Sequence, residues 1–105
     1  MSFRVDSTYT FIRKSSRPVR MNCVSHWHEP RGGDGKNVRH ALFLMRPHQA
    51  AKYEKATGPK LQMNATYDVK RPAGQLLRVR LYRRRPGPSG SHVYWGKKMK
   101  KPKHS

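Results

Sequence analysis

Apolar and polar residues alternate through the first stretch of the chain. Phe3, Val5, Tyr9 and Phe11 fall on one side, and Arg4, Asp6, Thr8 and Thr10 on the other. A period of two marks a strand with one buried face, so a strand is predicted over 3–11. Two more stretches alternate as cleanly. Leu61, Met63, Ala65, Tyr67 and Val69 interleave with Gln62, Asn64, Thr66, Asp68 and Lys70. Leu77, Val79 and Leu81 interleave with Arg78, Arg80 and Tyr82. Arg71-Pro72-Ala73-Gly74 between them has turn chemistry, which predicts a β-hairpin from 61–69 and 76–83. Pro47 suits the first turn of a helix and Gly58 its C-cap. The spacing therefore predicts a strand over 37–45 and a helix over 47–57, with one continuous helix kinked at Pro47 as the alternative.

The remainder lacks periodicity. Ser15–Arg20, with Pro18, reads as a connection. Residues 21–36, with Pro30 and the glycine-rich RGGDGK, predict a long loop ordered by a partner. After Arg85 the sequence PGPSGS stops regular structure, and HVYWGKKMKKPKHS reads as an extended tail with an aromatic anchor. No internal repeat is present. The expected fold class is α+β, a small β-rich body of about three to four short strands and one short helix with long irregular basic extensions. The body spans 1–85 and the basic C-terminal extension 86–105, which is expected to add affinity without adding to the fold.

Charge sharpens this picture. The 105 residues include 24 Lys or Arg and 5 Asp or Glu, a formal net charge of +19. One domain at most fits this length. A domain so small buries little surface, and its like charges repel one another. A polyanion is the economical source of the missing negative charge. From Val69 to Ser105 there are 12 Lys or Arg and no acid, the pattern of an interaction surface. A strand over 76–83 puts Arg78 and Arg80 on one face, opposite Leu77, Val79 and Leu81. Their repeat of about 6–7 Å is close to the phosphate spacing of a nucleic-acid strand. The guanidinium fork grips phosphate and stacks on bases. Lysines in the tail add mobile charge, and Tyr94 and Trp95 serve either as base-stacking platforms or as buried anchors. The candidate RNA-binding residues are Arg13, Lys14, Arg17, Arg20, Arg78, Arg80, Arg83, Arg84, Arg85, Tyr94, Trp95, Lys97, Lys98, Lys100, Lys101 and Lys103.

Several function classes are disfavoured. The single Cys23 excludes an internal disulfide framework. No apolar run approaches the ~18 residues of a transmembrane helix, so membrane insertion is not expected. The only good helix has too few cations for a membrane-active amphipathic peptide. Met1–Arg20 is Arg- and Ser-rich with one acid, loosely like a mitochondrial targeting sequence, although its alternation favours a strand. Cys23, His26, His28 and His40 are zinc-ligand types, but no C-x-x-C pair exists and the spacing fits no standard finger. His26, Trp27 and His28 are expected instead to contact phosphate or stack on a base. Asn37 after Lys36 removes the hydroxyl a Walker A loop requires. No pair of residues has an assignable catalytic role, so no enzyme activity, cofactor, metal or small-molecule substrate is expected.

The alternating strands at 61–69 and 76–83, the run LLRVRLYRRR, the Pro/Gly break and the tail YWGKKMKKPKHS resemble a ribosomal protein, and with the N-terminal composition a mitochondrial (organellar) one. That resemblance implies a structural constituent of a ribosome that binds and stabilises ribosomal RNA beside neighbouring ribosomal proteins. It implies location in the mitochondrial ribosome, with the cytosolic ribosome as the alternative. The other functional reading is a free-standing nucleic-acid-binding or RNA-processing factor.

Overall fold

The computed structural model describes residues 3–14, 16–30 and 37–100. Their elements are β1 (Thr8–Phe11), β2 (Val19–Pro30), β3 (Asn37–Met45), α1 (Pro47–Lys55), β4 (Ala65–Lys70), β5 (Leu76–Pro86) and β6 (His92–Met99), with one 3₁₀ turn at Pro88–Gly90 before β6. The strands pair antiparallel in the order β1-β2-β3-β6-β5-β4, and β4 returns to β1, closing a barrel. This corrects the α+β expectation: 55% of the described residues are strand and 13% helix, so the fold is mostly β.

Alternation builds the interior. Tyr9 and Phe11 from β1, Met21 and Cys23 from β2, Phe43 and Met45 from β3, Val69, Val79, Leu81 and Tyr94 are all fully buried. Phe43 is their hub. Its ring meets Phe11, Phe3 and Tyr9 edge to face at centroid distances of 5.0, 5.6 and 5.7 Å, a favoured aromatic arrangement. Phe3 reaches this core from outside β1. The chain between them turns at Asp6, whose φ is 66°, and the Tyr9 hydroxyl accepts the Arg4 N–H at 2.7 Å. The strand expected over 3–11 is thereby shortened to Thr8–Phe11.

Pro47 starts α1 as expected, and the helix ends at Lys55, with Ala56 already extended and Gly58 at φ 112°. Ala50 and Tyr53 turn inward and plug one end of the barrel. The Tyr53 hydroxyl accepts the Leu61 N–H at 2.6 Å, tying the following loop to the plug. Leu61, expected in a strand over 61–69, is buried but lies in this loop, and β4 begins only after Asn64 (φ 64°). The hairpin between β4 and β5 forms in register, with Val69 opposite Leu77 and Tyr67 opposite Val79.

Two segments expected to be irregular are strands. Residues 19–30 form β2, and only 31–36 of the expected loop lie outside the described residues. Residues 92–99 form β6, hydrogen-bonded to β3 on one side and β5 on the other. The expected irregular extension from residue 86 is therefore a central barrel strand through Met99. Its inward positions are Tyr94, opposite Phe43, and Gly96, opposite Ala41.

Candidate nucleic-acid interface

Residues between the inward positions of β3, β6 and β5 face out and form rungs across the barrel wall. His40 lies opposite Lys97, and Lys97 opposite Arg80. Leu42 lies opposite Trp95, and Trp95 opposite Arg83. Leu44 lies opposite Val93, and Val93 opposite Arg85. Strict alternation in β5 would have put Arg83 and Arg85 on the same side as Leu81. A register shift between Leu81 and Arg83 prevents this. The extra residue of a β-bulge advances the face of all that follow it. Arg78, Arg80, Arg83 and Arg85 thus share the outer face, and Arg84 is exposed at the barrel rim.

The face is a mosaic of cations and rings. The Arg83 guanidinium carbon sits 4.8 Å from the Trp95 ring centroid, a cation–π distance. Arg78 meets Asp68 across β4, with 3.6 Å between Nε and Oδ1. At the end of the barrel away from α1, Arg39, Arg71, Arg78, Lys98 and Lys100 line a cleft of about 720 Å³ with no acidic lining residue. It continues the arginine row past the ends of β5 and β6.

The far edge of the face is locked by His40, which is only 8% exposed. Its ring stacks on Trp27 at 5.5 Å and 14°. Nε2 lies 2.7 Å from the Glu29 carboxylate and Nδ1 2.9 Å from the Tyr82 hydroxyl. An ionised carboxylate only accepts, so Nε2 carries the proton, and the neutral ring's Nδ1 accepts from the Tyr82 O–H. Burial holds the His40 pKa below its ordinary value, against the opposing pull of Glu29, which keeps the ring neutral. Burial likewise pushes the Tyr82 phenol up, so it stays a donor. His40 lies opposite Lys97, so the bulged Tyr82 and the indole of Trp27 are fixed around the far edge of this face. This four-residue lock spans three strands, and the pairing that assembles it has no linear signature.

No family model, curated protein or solved structure matches the chain.

The expected RNA-binding residues separate into groups. Arg78, Arg80, Arg83, Arg85, Trp95 and Lys97 come together on the outer face. Tyr94 does not: it is fully buried opposite Phe43, so its ring is unavailable to a base. Burial also drives the Tyr94 phenol far above its ordinary pKa. Arg13 has a structural task. Its Nε and Nη2 donate to the Arg17 carbonyl at 3.1 and 2.8 Å, and its Nη1 donates to the Pro59 carbonyl at 2.8 Å. Lys14, Arg17 and Arg20 are exposed; Arg17 and Arg20 line a cleft against α1, and Lys14 lines one that reaches Arg78. Lys101 and Lys103, and the RGGDGK segment, lie outside the described residues.

The Cys–His segment is split by the barrel wall. Cys23 points inward, is fully buried, and donates Sγ–H to the Ser25 carbonyl at 3.4 Å. His40 is on the outer side. The register shift between Cys23 and Ser25 puts His26 opposite Ala41, on the thiol's side of the sheet, but His26 and His28 are exposed while the thiol is buried. Among the described residues no group of three or more His, Cys, Asp or Glu side chains is placed to hold a metal ion. No helix among them is long and apolar enough to cross a membrane.

Proposed function

We propose that this protein binds RNA through the outer face of β5 and β6 and serves as a structural constituent of a ribosome, with the mitochondrial ribosome the site that the sequence style favours. One observation carries the RNA-binding part. Arg78, Arg80, Arg83 and Arg85 share one face with Lys97, and Trp95 lies under Arg83. Cations at strand spacing contact successive phosphates, while Trp27 and Trp95 offer half-exposed rings to unstacked bases. Grip on the backbone with sequence-tolerant stacking suits a single-stranded or looped RNA.

The second reading, a free-standing nucleic-acid-binding or RNA-processing factor, gains weight from the closed barrel. The core is complete without a partner, and all strands are paired round the ring. Two experiments decide between them. RNA affinity measured against salt should fall at a slope of about −0.7 per phosphate contact, and Arg80→Gln or Arg83→Gln should each flatten it by roughly that amount. Affinity independent of salt refutes the interface. Co-sedimentation of the endogenous protein with a ribosomal subunit, lost on RNase treatment, supports the ribosomal assignment, and sedimentation free of subunits moves the assignment to the second reading.

A further inference from the structure

A second basic feature lies at the α1 end of the barrel. There α1 and the β1–β2 connection enclose a cleft of about 720 Å³, lined by Arg17, Arg20, His48, Lys52 and Lys55 with no acidic side chain. His48, Lys52 and Lys55 recur at helical spacing and share one face of α1. Glu54, which would have neutralised them, is turned to the other side, 3.2 Å from His92 Nε2.

The cleft is braced open from beneath. Arg13 spends its guanidinium donors on the backbone carbonyls of Arg17 and Pro59 and lies 5.4 Å over the Tyr53 ring. It thus clamps the β1–β2 connection to the loop after α1. The remaining cations keep their heads exposed on the rim. A rigid notch with cations on both walls is complementary to a phosphodiester chain, whose charges repeat along its length.

Topology sets this notch against the arginine face. In the ring β1-β2-β3-β6-β5-β4, β1 lies three strands from β6 and β2 three strands from β5. The two basic surfaces therefore occupy different walls of a molecule of 42 × 33 × 26 Å.

We propose that the cleft grips the phosphate backbone of a second RNA segment, so that one chain bridges two RNA segments held on different walls of the barrel. The bridging rests on the RNA-binding reading of the arginine face, whereas occupancy of the cleft stands on its own charge and shape.

Native mass spectrometry of the full chain with non-complementary single-stranded RNAs of about ten nucleotides tests it. The wild type should reach one chain with two RNAs. Combined Arg17→Gln, Arg20→Gln, Lys52→Gln and Lys55→Gln, all at exposed positions, should stop at one RNA, with the second binding step weakened about tenfold or more. Combined Arg80→Gln, Arg83→Gln and Lys97→Gln should also stop at one, by loss of the other segment. Saturation of the wild type at one RNA, or a cleft variant that still takes two, overturns the proposal. A face variant that still takes two while the cleft variant takes one upholds the cleft and refutes the arginine face. Polyglutamate that displaces the RNA held by the face variant more readily than competing RNA does would replace RNA with an acidic protein segment as the occupant, and overturn the bridging.

Discussion

Gly96→Ala tests the closure of the barrel directly. A Cβ at Gly96 would lie 2.6 Å from Val79 Cγ1, 3.0 Å from Phe43 Cε2 and 3.3 Å from Leu81 Cδ2. Carbon atoms settle at about 3.5–4.0 Å, so the first contact overlaps severely. Val79, Phe43 and Leu81 are fully buried, and side chains in a close-packed interior yield only with strain. Overpacking of this kind costs about 1–3 kcal/mol. In a domain of this size each kcal/mol lowers the melting temperature by about 4–8 °C, so the expected fall runs from about 4 to about 24 °C. Thermal unfolding of the RNA-free protein by circular dichroism reads this. Val79→Ala removes the nearest clash, and in the double variant the combined loss should be smaller than the sum of the single losses. The opposite outcome is well defined. If Gly96 sat in a solvated tail, alanine would be neutral, or stabilising by about 0.4–1 kcal/mol through the unfolded chain. An unchanged or raised melting temperature would refute the placement of β6 inside the barrel.

Adjacent residues on β6 should behave differently. Tyr94→Ala should cost about 3–5 kcal/mol of stability in urea unfolding, whereas Trp95→Ala should leave a folded barrel and weaken RNA binding by about 1–3 kcal/mol by anisotropy. His40 titrates below its ordinary value, so the unfolded chain binds the proton first as pH falls. Stability should be full above the unfolded value of 6.5 and decline as pH drops from there through the lower folded value. Melts of wild type and His40→Gln at pH 7.5 and 5.5 should show a smaller pH dependence in the variant. Cys23 is buried with its thiol pushed up, so a thiol reagent should modify it only at the rate of unfolding. Rapid modification of the folded protein would contradict its inward placement.

Where the pleat put long apolar side chains inside and polar ones outside, the linear pattern revealed the element. That holds for the β4–β5 hairpin; α1 was legible from its proline start, and β3, with Leu42 and Leu44 facing out, only as an apolar run before it. β6 escaped because its inward positions after Tyr94 are Gly96 and Lys98. The barrel is narrow at Ala41 and Gly96, and a position that must be empty leaves no hydrophobic mark. β2 escaped for a related reason. Its alternation of Val19, Met21 and Cys23 is broken by the register shift at Val24, and beyond it the strand pairs with β3 while its side chains stay exposed. The arginine run was legible as charge, but the bulge at Tyr82, which decides which arginines share a face, depends on the pairing of β5 with β6. The grouping of Arg17 and Arg20 with His48, Lys52 and Lys55 requires the folded chain.

The position of β6 also bears on how the chain is made. β3 and β5 are separated from their shared neighbour until residues 92–99 have been synthesised. During elongation, at about 5–20 residues per second, both strands therefore present unpaired backbone edges to the crowded surroundings. Such edges recruit other chains, and charged side chains are a common means of keeping them apart. The arginines of β5 would then act before any RNA is bound, as electrostatic guards on a half-built barrel. A ribosome stalled short of β6 would release a chain with two open edges and no means of closing them.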